Sequence, residues 1–593
     1  MGPCSALQTR LSFCYDYDCY KCLLKMHAAN LLVHGSTIST KGMSNMKNLQ
    51  ALTFEYGWFR HFAAFALLSY LAFAGRDLNA ADDRPNIVLI MADDLGYSDL
   101  GCYGGEIETP SIDRLAAEGL KFSQFYNCAV CRTSRVALLT GLHPRRVKGR
   151  MLHDNMTTLG EVVKSAGYRT SLIGKWHFPV TKPQDRGRLP TRRGFDHYYG
   201  LAAGCCNFFD PAKPFPDYYQ GQGPEPFLDQ ETPITEFPED YYTTDAFTDR
   251  AVEQIQEFAE AEKKTPFFLH LCYNAPHYPL HAKPKDIAKY QGRFDDGYFA
   301  MRERRIERLK ELGLINQDWK LSEPDPQQSR LTYDYEITPW DEVKNIARER
   351  RRMEVYAAMV DSMDQGIARV MEALERSGIA ENTCVIFLSD NGGCASHSGY
   401  RNVEVKKAHE EYNKELPGSI DTYDYVAQGW GWAQNAPFRR YKVWTHEGGI
   451  STPMIVRWPK KIRAGTLTHQ VGHIVDFMPT IIEMSGATYP EFREEIEVLP
   501  TDGVSLLPVF EGRQRADHDS LFWYLYGNRA VRKGKWKLVW GSNVKKWELF
   551  DMEADRTETN DLAAENPQIV KELEAEWLQW ARKTGAPLKG NAL

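Results

Sequence analysis

Asn86-Ile-Val-Leu-Ile-Met-Ala-Asp-Asp94 is the stretch of this sequence that decides the fold. Its apolar run up to Met91 is short and continuous, which is typical of a strand buried on both faces of an α/β sheet. Two carboxylates, Asp93 and Asp94, follow the run directly. We therefore predict a buried strand over 86–91 with two acidic side chains at its carboxyl end.

Two further apolar runs repeat this design. Thr383–Leu388 is followed by Asp390 and Asn391, and Pro266–Leu271 leads to His277. Because ligands of open α/β sheets gather at the carboxyl ends of strands, we expect these three strand ends to converge.

The polar residues at these strand ends indicate a metal site. Asp93, Asp94, Asp390 and Asn391 offer only oxygen atoms as ligands. Hard divalent cations prefer oxygen, whereas zinc favours nitrogen and sulfur. We therefore predict a site for Ca²⁺, with Mg²⁺ as the alternative.

The segments between the runs predict further elements. Apolar residues at helical spacing over 352–376 indicate an amphipathic helix. The stretch over 211–238 is rich in proline, glycine and aromatic residues, which is typical of a long loop. Long loops in compact domains are often functional, so this one is a candidate for substrate selection.

Cys128-Ala-Val-Cys-Arg-Thr-Ser-Arg-Val-Ala-Leu-Leu-Thr-Gly141 has the pattern of a helix entry. A helix N-terminus offers unpaired N–H groups and the positive end of a dipole, which suits an anion. The same field favours a thiolate, so a cysteine there is expected to be reactive. Two registers compete, because Cys128 and Cys131 each precede an arginine, Arg132 or Arg135, by four residues.

This segment resembles the core motif of the type I sulfatases, Cys-x-(Pro/Ala/Ser)-x-Arg followed by x-x-Leu-x-Thr-Gly. Only when the motif is counted from Cys131 do Leu138, Thr140 and Gly141 fall where the family places them. Thr133 departs from the pattern, because it stands where proline, alanine or serine is usual. The resemblance implies that a formylglycine-generating enzyme converts Cys131 to formylglycine during maturation, and that the hydrate of this group attacks sulfur.

Two more motifs match the family in their order along the chain. Gly174-Lys-Trp-His177 follows a strand-like segment, and Lys442 precedes Glu447-Gly-Gly449 at the family's spacing. The segment Tyr425–Pro453 looks most like bacterial arylsulfatases. The resemblance thereby implies the catalytic residues Cys131, Arg135, Lys175, His177, His277, Asp390 and Lys442, and the metal ligands Asp93, Asp94, Cys131, Asp390 and Asn391.

The resemblance also implies a role for each catalytic residue. His277 donates a proton to the leaving alcohol, and Lys442 shares that task. Asp390 polarises the attacking hydroxyl of the formylglycine hydrate, and His177 takes the proton of the other hydroxyl. Arg135 steadies the formylglycine. Together with Lys175, Lys442 and the metal it forms a positive set that suits negative charge developing on the leaving oxygen and the sulfuryl group.

The fold that the resemblance implies is α/β and alkaline-phosphatase-like. It has a large mixed sheet flanked by helices, with a smaller C-terminal antiparallel sheet plus helix. We predict an N-terminal extension and signal peptide over 1–83, a sulfatase catalytic domain over 84–512, and a C-terminal subdomain over 513–593, where alternating segments indicate antiparallel strands.

The apolar run over 62–74 is too short to cross a bilayer, and small residues follow it as at a signal-peptidase site. Export to the periplasm or the exterior is therefore expected, without a stable membrane span.

Composition excludes one class of partner. The net charge of −7 leaves no basic surplus for nucleic acid. The function that the resemblance implies is hydrolysis of sulfate monoesters, with aryl or carbohydrate sulfates as substrates. A phosphodiester or phosphonate monoester hydrolase of the same superfamily is an alternative. Another is a catalytically silent binding protein in which Cys131 is never converted.

Overall fold

The computed structural model describes residues 83–147, 151–218, 225–261, 265–325, 337–395 and 403–588. The signal peptide that we predict around the apolar run 62–74 lies outside these residues. Among the described helices, none is both long and apolar enough to cross a membrane.

The described strands are numbered in chain order. They are β1 Asn86–Ala92, β2 Leu120–Phe122, β3 Phe125–Tyr126, β4 Arg169–Gly174, β5 His197–Leu201, β6 Phe227–Asp229, β7 Thr232–Ile234, β8 Phe267–Cys272, β9 Thr383–Ser389, β10 Met454–Arg457, β11 Thr466–Thr468, β12 Gly472–His473, β13 Phe492–Arg493, β14 Ile496–Glu497, β15 Leu521–Leu525, β16 Asn528–Lys533, β17 Trp536–Trp540 and β18 Trp547–Asp551.

Ten of these strands form the main sheet, in the order β11-β2-β10-β9-β1-β8-β4-β5-β6-β7. The predicted strand β1 is central and runs parallel to both β8 and β9. Met91 lies opposite Cys272 on one side and Leu388 on the other, so the three strands end at the same level. β10 is antiparallel to β9, and β6 is antiparallel to β5, which makes the sheet mixed as predicted.

The side chains of β1 point alternately to the two faces of the sheet, and both faces are buried. Val88 and Ile90 point into one apolar cluster, and Ile87, Leu89 and Met91 point into a second cluster on the opposite face. Successive side chains of a strand face opposite sides, so a strand covered on both faces has a continuous apolar sequence. This is the physical basis of the apolar run.

Helices cover both faces of the sheet. The longest described helix, Ile346–Arg376, begins six residues before the predicted start and contributes Met359, Met363 and Ile367 to the first cluster. The remaining α-helices are Pro110–Ala117, Cys131–Thr140, Leu159–Ser165, Thr243–Glu260, Pro284–Lys289, Gly297–Glu311, Val403–Tyr412, Gln428–Gln434, Glu447–Ile450, Phe477–Ser485, Leu507–Phe510 and Pro567–Thr584.

The C-terminal part matches its prediction. Strands β15 to β18 form an antiparallel sheet in sequential order, and the helix Pro567–Thr584 packs on it through Leu573, Trp577 and Ala581.

The predicted loop over 211–238 needs a correction. Strands β6 and β7 form a hairpin there that extends the edge of the main sheet. Pro233 lies in β7, an edge strand, where a missing N–H is tolerated.

Candidate active site

The carboxyl ends of β1 and β9 bring four polar side chains together. Asp94 donates its backbone N–H to Asp390 Oδ1 at 3.4 Å, and Asn391 Nδ2 donates to Asp94 Oδ1 at 2.7 Å. Asp93, Asp390 and Asn391 are fully buried, and Asp94 is nearly so. Asp94 has a φ of 68°, so the chain turns directly after the strand.

Each of the three carboxylates has a cationic partner. Lys175 contacts Asp93, and Lys442 contacts Asp94 Oδ1. Arg135 donates from Nε to Asp390 Oδ2 at 3.0 Å, and its Nη1 donates to the carbonyl of Lys175 at 2.8 Å. The structure thus gathers three cations and three carboxylates from five separate segments of the chain.

Cys131 opens the helix Cys131–Thr140 and faces this group. Its Sγ and one carboxylate oxygen each of Asp93 and Asp390 lie within 4.8 Å of one another. The residue is only 5% exposed. Among the described residues, Cys128 belongs to no such group, so the geometry favours the Cys131 register.

The burial of Cys131 acts against the thiolate form that a helix entry alone favours. Burial raises the pKa of the Cys131 thiol, and the charges of Asp93 and Asp390 add to the shift, against Lys175 and Lys442. Burial therefore opposes the thiolate form at this position.

Thr133 occupies the position where the motif departs from the family. Its hydroxyl donates to the carbonyls of Cys128 at 2.9 Å and Val130 at 2.7 Å. These bonds tie the first turn of the helix to the segment that precedes it. A threonine is thus accommodated at this position in the folded chain.

The two predicted histidines lie at the same site. His277 Nε2 is 3.5 Å from Asp94 Oδ2, and its Nδ1 is 2.8 Å from the carbonyl of Tyr278. Burial lowers the pKa of His277 to about 3, although Asp94 opposes the shift. Burial also lowers the pKa of His177 well below its usual value, and Lys175 adds to that effect. Both imidazoles are therefore neutral near pH 7.

The acidic groups and Lys442 are shifted as well. Burial raises the pKa of Asp390 to about 7, and Asp93 adds to the shift against Arg135. Burial alone would raise the pKa of Asp94, but Lys442 and His277 hold it well below its usual value. Burial alone would lower the pKa of Lys442, yet Asp94 raises it well above its usual value. Asp94 and Lys442 are thus a charged pair.

The residues present fit a hard divalent cation. Asp93 Oδ1 and Asn391 Oδ1 are buried and accept no hydrogen bond from the described residues. Because Asn391 Nδ2 is bound to Asp94, the amide oxygen of Asn391 is the atom left for a ligand role. Three carboxylates and one amide oxygen form an all-oxygen donor set suited to Ca²⁺ or Mg²⁺.

An aromatic group adjoins His277 and was not predicted. Tyr278 stacks on Tyr425 with ring centroids 4.2 Å apart, and on Phe215 at 6.0 Å. Phe215 belongs to the 211–238 stretch, so this stretch does lie beside the candidate site. The sequence signal was present in the aromatic residues of the stretch and in Tyr278 directly after His277.

Comparison with known proteins agrees with this geometry. The family model named Sulfatase matches residues 85–487, and the model described as N-sulphoglucosamine sulphohydrolase, C-terminal, matches residues 438–583. An uncharacterised sulfatase of Schizosaccharomyces pombe is 32% identical over 85% of this chain and 95% of its own length. The arylsulfatase of Klebsiella aerogenes is 31% identical over 76% of this chain and 98% of its own.

Two further proteins extend the comparison. Human N-acetylgalactosamine-6-sulfatase is 28% identical over 80% of this chain and 75% of its own length. Among solved structures, Ps i-CgsB in complex with k-i-k-neocarrahexaose superposes with a TM-score of 0.59 at 26% identity, covering 86% of this chain and 95% of that one.

Proposed function

Because this chain belongs to the sulfatase family of enzymes, we propose that it hydrolyses sulfate monoesters by attack of a hydrated formylglycine at position 131 on sulfur. The observation that carries the proposal is the convergence of Arg135, Lys175 and Lys442 on the buried carboxylates beside Cys131. Preorganised cations in a site that excludes water stabilise a transition state in which negative charge grows.

Two groups complete the proposed site. The hydrated aldehyde at position 131 would supply the nucleophilic hydroxyl, and a Ca²⁺ ion, or Mg²⁺ in its place, would supply positive charge opposite the sulfate oxygens. Asp93, Asp94, Asp390 and Asn391 would hold the ion, with the oxygen at position 131. Arg135, bound to Asp390 and to the carbonyl of Lys175, holds the surroundings of position 131 in place.

The chain's own residues move the protons. Asp390, held by the hydrogen bond from Arg135, is placed to polarise the attacking hydroxyl. His177 is a neutral base, and its buried Nδ1 has no hydrogen-bond partner among the described residues, so it can take the second hydroxyl's proton.

At the leaving oxygen, Lys442 carries the positive charge in the free enzyme. His277 is neutral in the free enzyme; the negative charge of a bound sulfate ester would raise its proton affinity, so that it takes a proton from solvent on binding and passes it to the leaving oxygen.

The substrate class follows from the aromatic group and from the relatives. An arylsulfatase and an N-acetylgalactosamine-6-sulfatase are among the similar proteins, and k-i-k-neocarrahexaose is bound in a similar structure. Arenes and sugar rings both present a flat apolar face that suits an aromatic wall. We therefore propose aryl or carbohydrate sulfates as substrates. Export by a signal peptide and maturation by a formylglycine-generating enzyme belong to the same proposal.

One experiment tests the proposal as a whole. The protein is isolated after coexpression with a formylglycine-generating enzyme, and the peptide containing residue 131 is analysed by mass spectrometry. The same preparation is assayed with an aryl sulfate, a phosphate monoester, a phosphodiester and a phosphonate monoester. We expect an aldehyde at residue 131 and a preference for the sulfate. An intact thiol without hydrolysis would indicate a silent binding protein, and a preference for phosphodiester or phosphonate would indicate the other hydrolase class.

The metal gives a prediction that does not depend on activity. Ca²⁺ added to chelator-treated protein should raise the Tm progressively, because an ion that binds only the folded state stabilises it by mass action. Replacement of Asn391 by alanine should remove most of this shift, since it deletes a free buried oxygen. Scanning fluorimetry measures both, with K⁺ at equal ionic strength as control. A Tm independent of Ca²⁺ would contradict the site.

The aromatic group gives a prediction about substrate binding. Phe215→Ala should raise KM about threefold to tenfold for an aryl sulfate while kcat changes little, because an aromatic contact contributes about 0.5–1.5 kcal/mol and lies away from the sulfur. Steady-state kinetics measure the effect. Phe237→Ala is a matched control, because Phe237 belongs to the same stretch but packs on Tyr241, with ring centroids 4.7 Å apart. Equal KM values for the two variants would rule out this role for Phe215.

A further inference from the structure

Glu447 is a motif residue to which the proposed mechanism gives no role. Its carboxylate is fully buried. Oε1 accepts a hydrogen bond from Lys537 Nζ at 2.7 Å, and Oε2 accepts bonds from Arg556 Nε at 2.6 Å and Tyr126 Oη at 2.9 Å. Lys537 lies in β17 and Arg556 in the segment directly after β18, so the C-terminal sheet and its following loop supply the two cations.

Glu558 completes this group, which we call the Glu447 cluster: Glu447, Lys537, Arg556 and Glu558. Glu558 accepts bonds from Lys537 Nζ at 2.9 Å and from the backbone N–H of Glu447 at 2.9 Å. Two cations and two carboxylates are thus paired with almost no exposure to solvent. Because the desolvation of such charges offsets much of their attraction, the cluster is a weak source of net stability. What it supplies is a fixed geometry.

Glu447 begins the short helical turn Glu447–Ile450, which packs on the segment 439–444 that carries Lys442. A Cβ at Gly448 would lie 2.2 Å from the carbonyl oxygen of Arg440. A Cβ at Gly449 would lie 2.1 Å from that of Trp444. Only glycine allows this approach, so the two glycines bring the turn into direct backbone contact with the Lys442 segment.

The other side of the same turn contacts the segment of the metal ligands. Gly392 directly follows Asp390 and Asn391, and a Cβ on it would lie 2.0 Å from the carbonyl oxygen of Gly448. The backbone N–H of Gly392 donates a hydrogen bond to the carbonyl oxygen of Gly449 at 3.4 Å. The turn therefore contacts both segments, which are also joined directly, because the backbone N–H of Lys442 donates to the carbonyl of Gly393 at 3.1 Å.

We propose that Glu447 is a positioning residue: through the Glu447 cluster, the C-terminal sheet fixes the turn that sets Lys442 against Asp390 and Asn391. The roles of those three residues rest on the proposed function. The C-terminal sheet thereby supports the candidate active site from outside, although none of the residues in its strands belongs to that site.

The test compares Glu447→Gln with the parent enzyme by two readouts. Calorimetric titration of chelator-treated protein measures Ca²⁺ affinity. We expect this affinity to fall about tenfold or more, which is the usual effect of losing a group that holds a metal ligand in place. Kinetics with an aryl sulfate should show kcat lowered about 100-fold, because a catalytic group displaced by about 1 Å costs roughly that factor. KM should change much less.

A matched control separates positioning from stability. Asp476 is an equally buried carboxylate, paired with Arg515 at 3.0 Å and His518 at 2.8 Å, and belongs to neither segment. Asp476→Asn and Glu447→Gln should both lower the Tm, but only Glu447→Gln should change Ca²⁺ affinity and kcat. Folded Glu447→Gln protein with parental values of both, or equal losses in the two variants, would overturn the inference.

A milder variant covers the case in which Glu447→Gln does not fold. Tyr126→Phe removes the hydroxyl that donates to Glu447 and accepts from Arg532, and it should weaken Ca²⁺ binding severalfold; unchanged binding would then overturn the inference. The calorimetric readout is independent of turnover. If the parent enzyme fails to cleave any sulfate ester, the proposed function falls, while the Ca²⁺ comparison still decides whether Glu447 positions the ligand segment.

Discussion

Replacement of Cys131 by alanine is expected to abolish sulfate-ester hydrolysis, with kcat lowered about 10⁵-fold or more, as when a covalent nucleophile is deleted. The Sγ atom of Cys131 lies within 4.8 Å of one carboxylate oxygen each of Asp93 and Asp390. The three cations and the histidines of the site cannot supply a nucleophilic atom at that point. Hydrolysis of an aryl sulfate by purified protein, measured at saturating substrate, gives the comparison. The Tm should stay close to that of the parent enzyme.

Cys128→Ala is the control that the sequence itself offers. Cys128 has the same spacing to an arginine but lies outside the carboxylate group. We expect this variant to keep its activity within about twofold, since replacing a small buried side chain by alanine acts on stability rather than on chemistry. Activity retained in Cys131→Ala and lost in Cys128→Ala would assign the nucleophile to the other register.

Lys442→Ala is expected to lower kcat about 10²–10³-fold, the usual cost of deleting one preorganised charge from a site that stabilises an anion. Lys442 contacts Asp94, whose charge keeps the pKa of the ammonium group well above its ordinary value. The loss should therefore be the same across the neutral pH range. Kinetics at several pH values between 6 and 8 would show this, and Lys546→Ala serves as a surface control because Lys546 is 57% exposed.

Two substrates with different leaving groups make the Lys442 prediction more specific. If the ammonium group stabilises charge on the leaving oxygen, the loss of kcat in Lys442→Ala must be greater for phenyl sulfate than for 4-nitrophenyl sulfate, whose leaving oxygen carries less charge. Equal losses for the two esters would place Lys442 at the sulfuryl oxygens instead. An unchanged kcat for both esters would show that Lys442 takes no part in the reaction.

The sequence was sufficient to predict the strands that carry the site. β1, β8 and β9 are covered on both faces, and such strands keep a continuous apolar sequence that needs no knowledge of their neighbours. Their carboxyl ends converge because parallel strands in register end together. The same reasoning places the polar residues after β1 and β9 side by side, whereas Cys131, Lys175 and Lys442 could be assigned only from the family motifs.

Other features depend on parts of the chain that are distant in sequence. β10 lies antiparallel between β9 and β2, which no local pattern specifies. The hairpin of β6 and β7 was missed because Pro233 is usual in loops and tolerated only at a sheet edge. The raised pKa of the Cys131 thiol follows from its burial by segments elsewhere in the chain. Glu447 was visible as a motif residue, but its partners Lys537 and Arg556 are about a hundred residues away.

The left-handed turn at Asp94 has a consequence for protein design. In an extended strand, two consecutive carboxylates point to opposite faces, and only one could reach a given ion. The φ of 68° at Asp94 ends that alternation and lets both side chains serve one centre. Aspartate and asparagine tolerate this backbone region far better than β-branched residues do. A designer who grafts the proposed metal site onto another parallel sheet must therefore copy the backbone reversal as well as the two side chains.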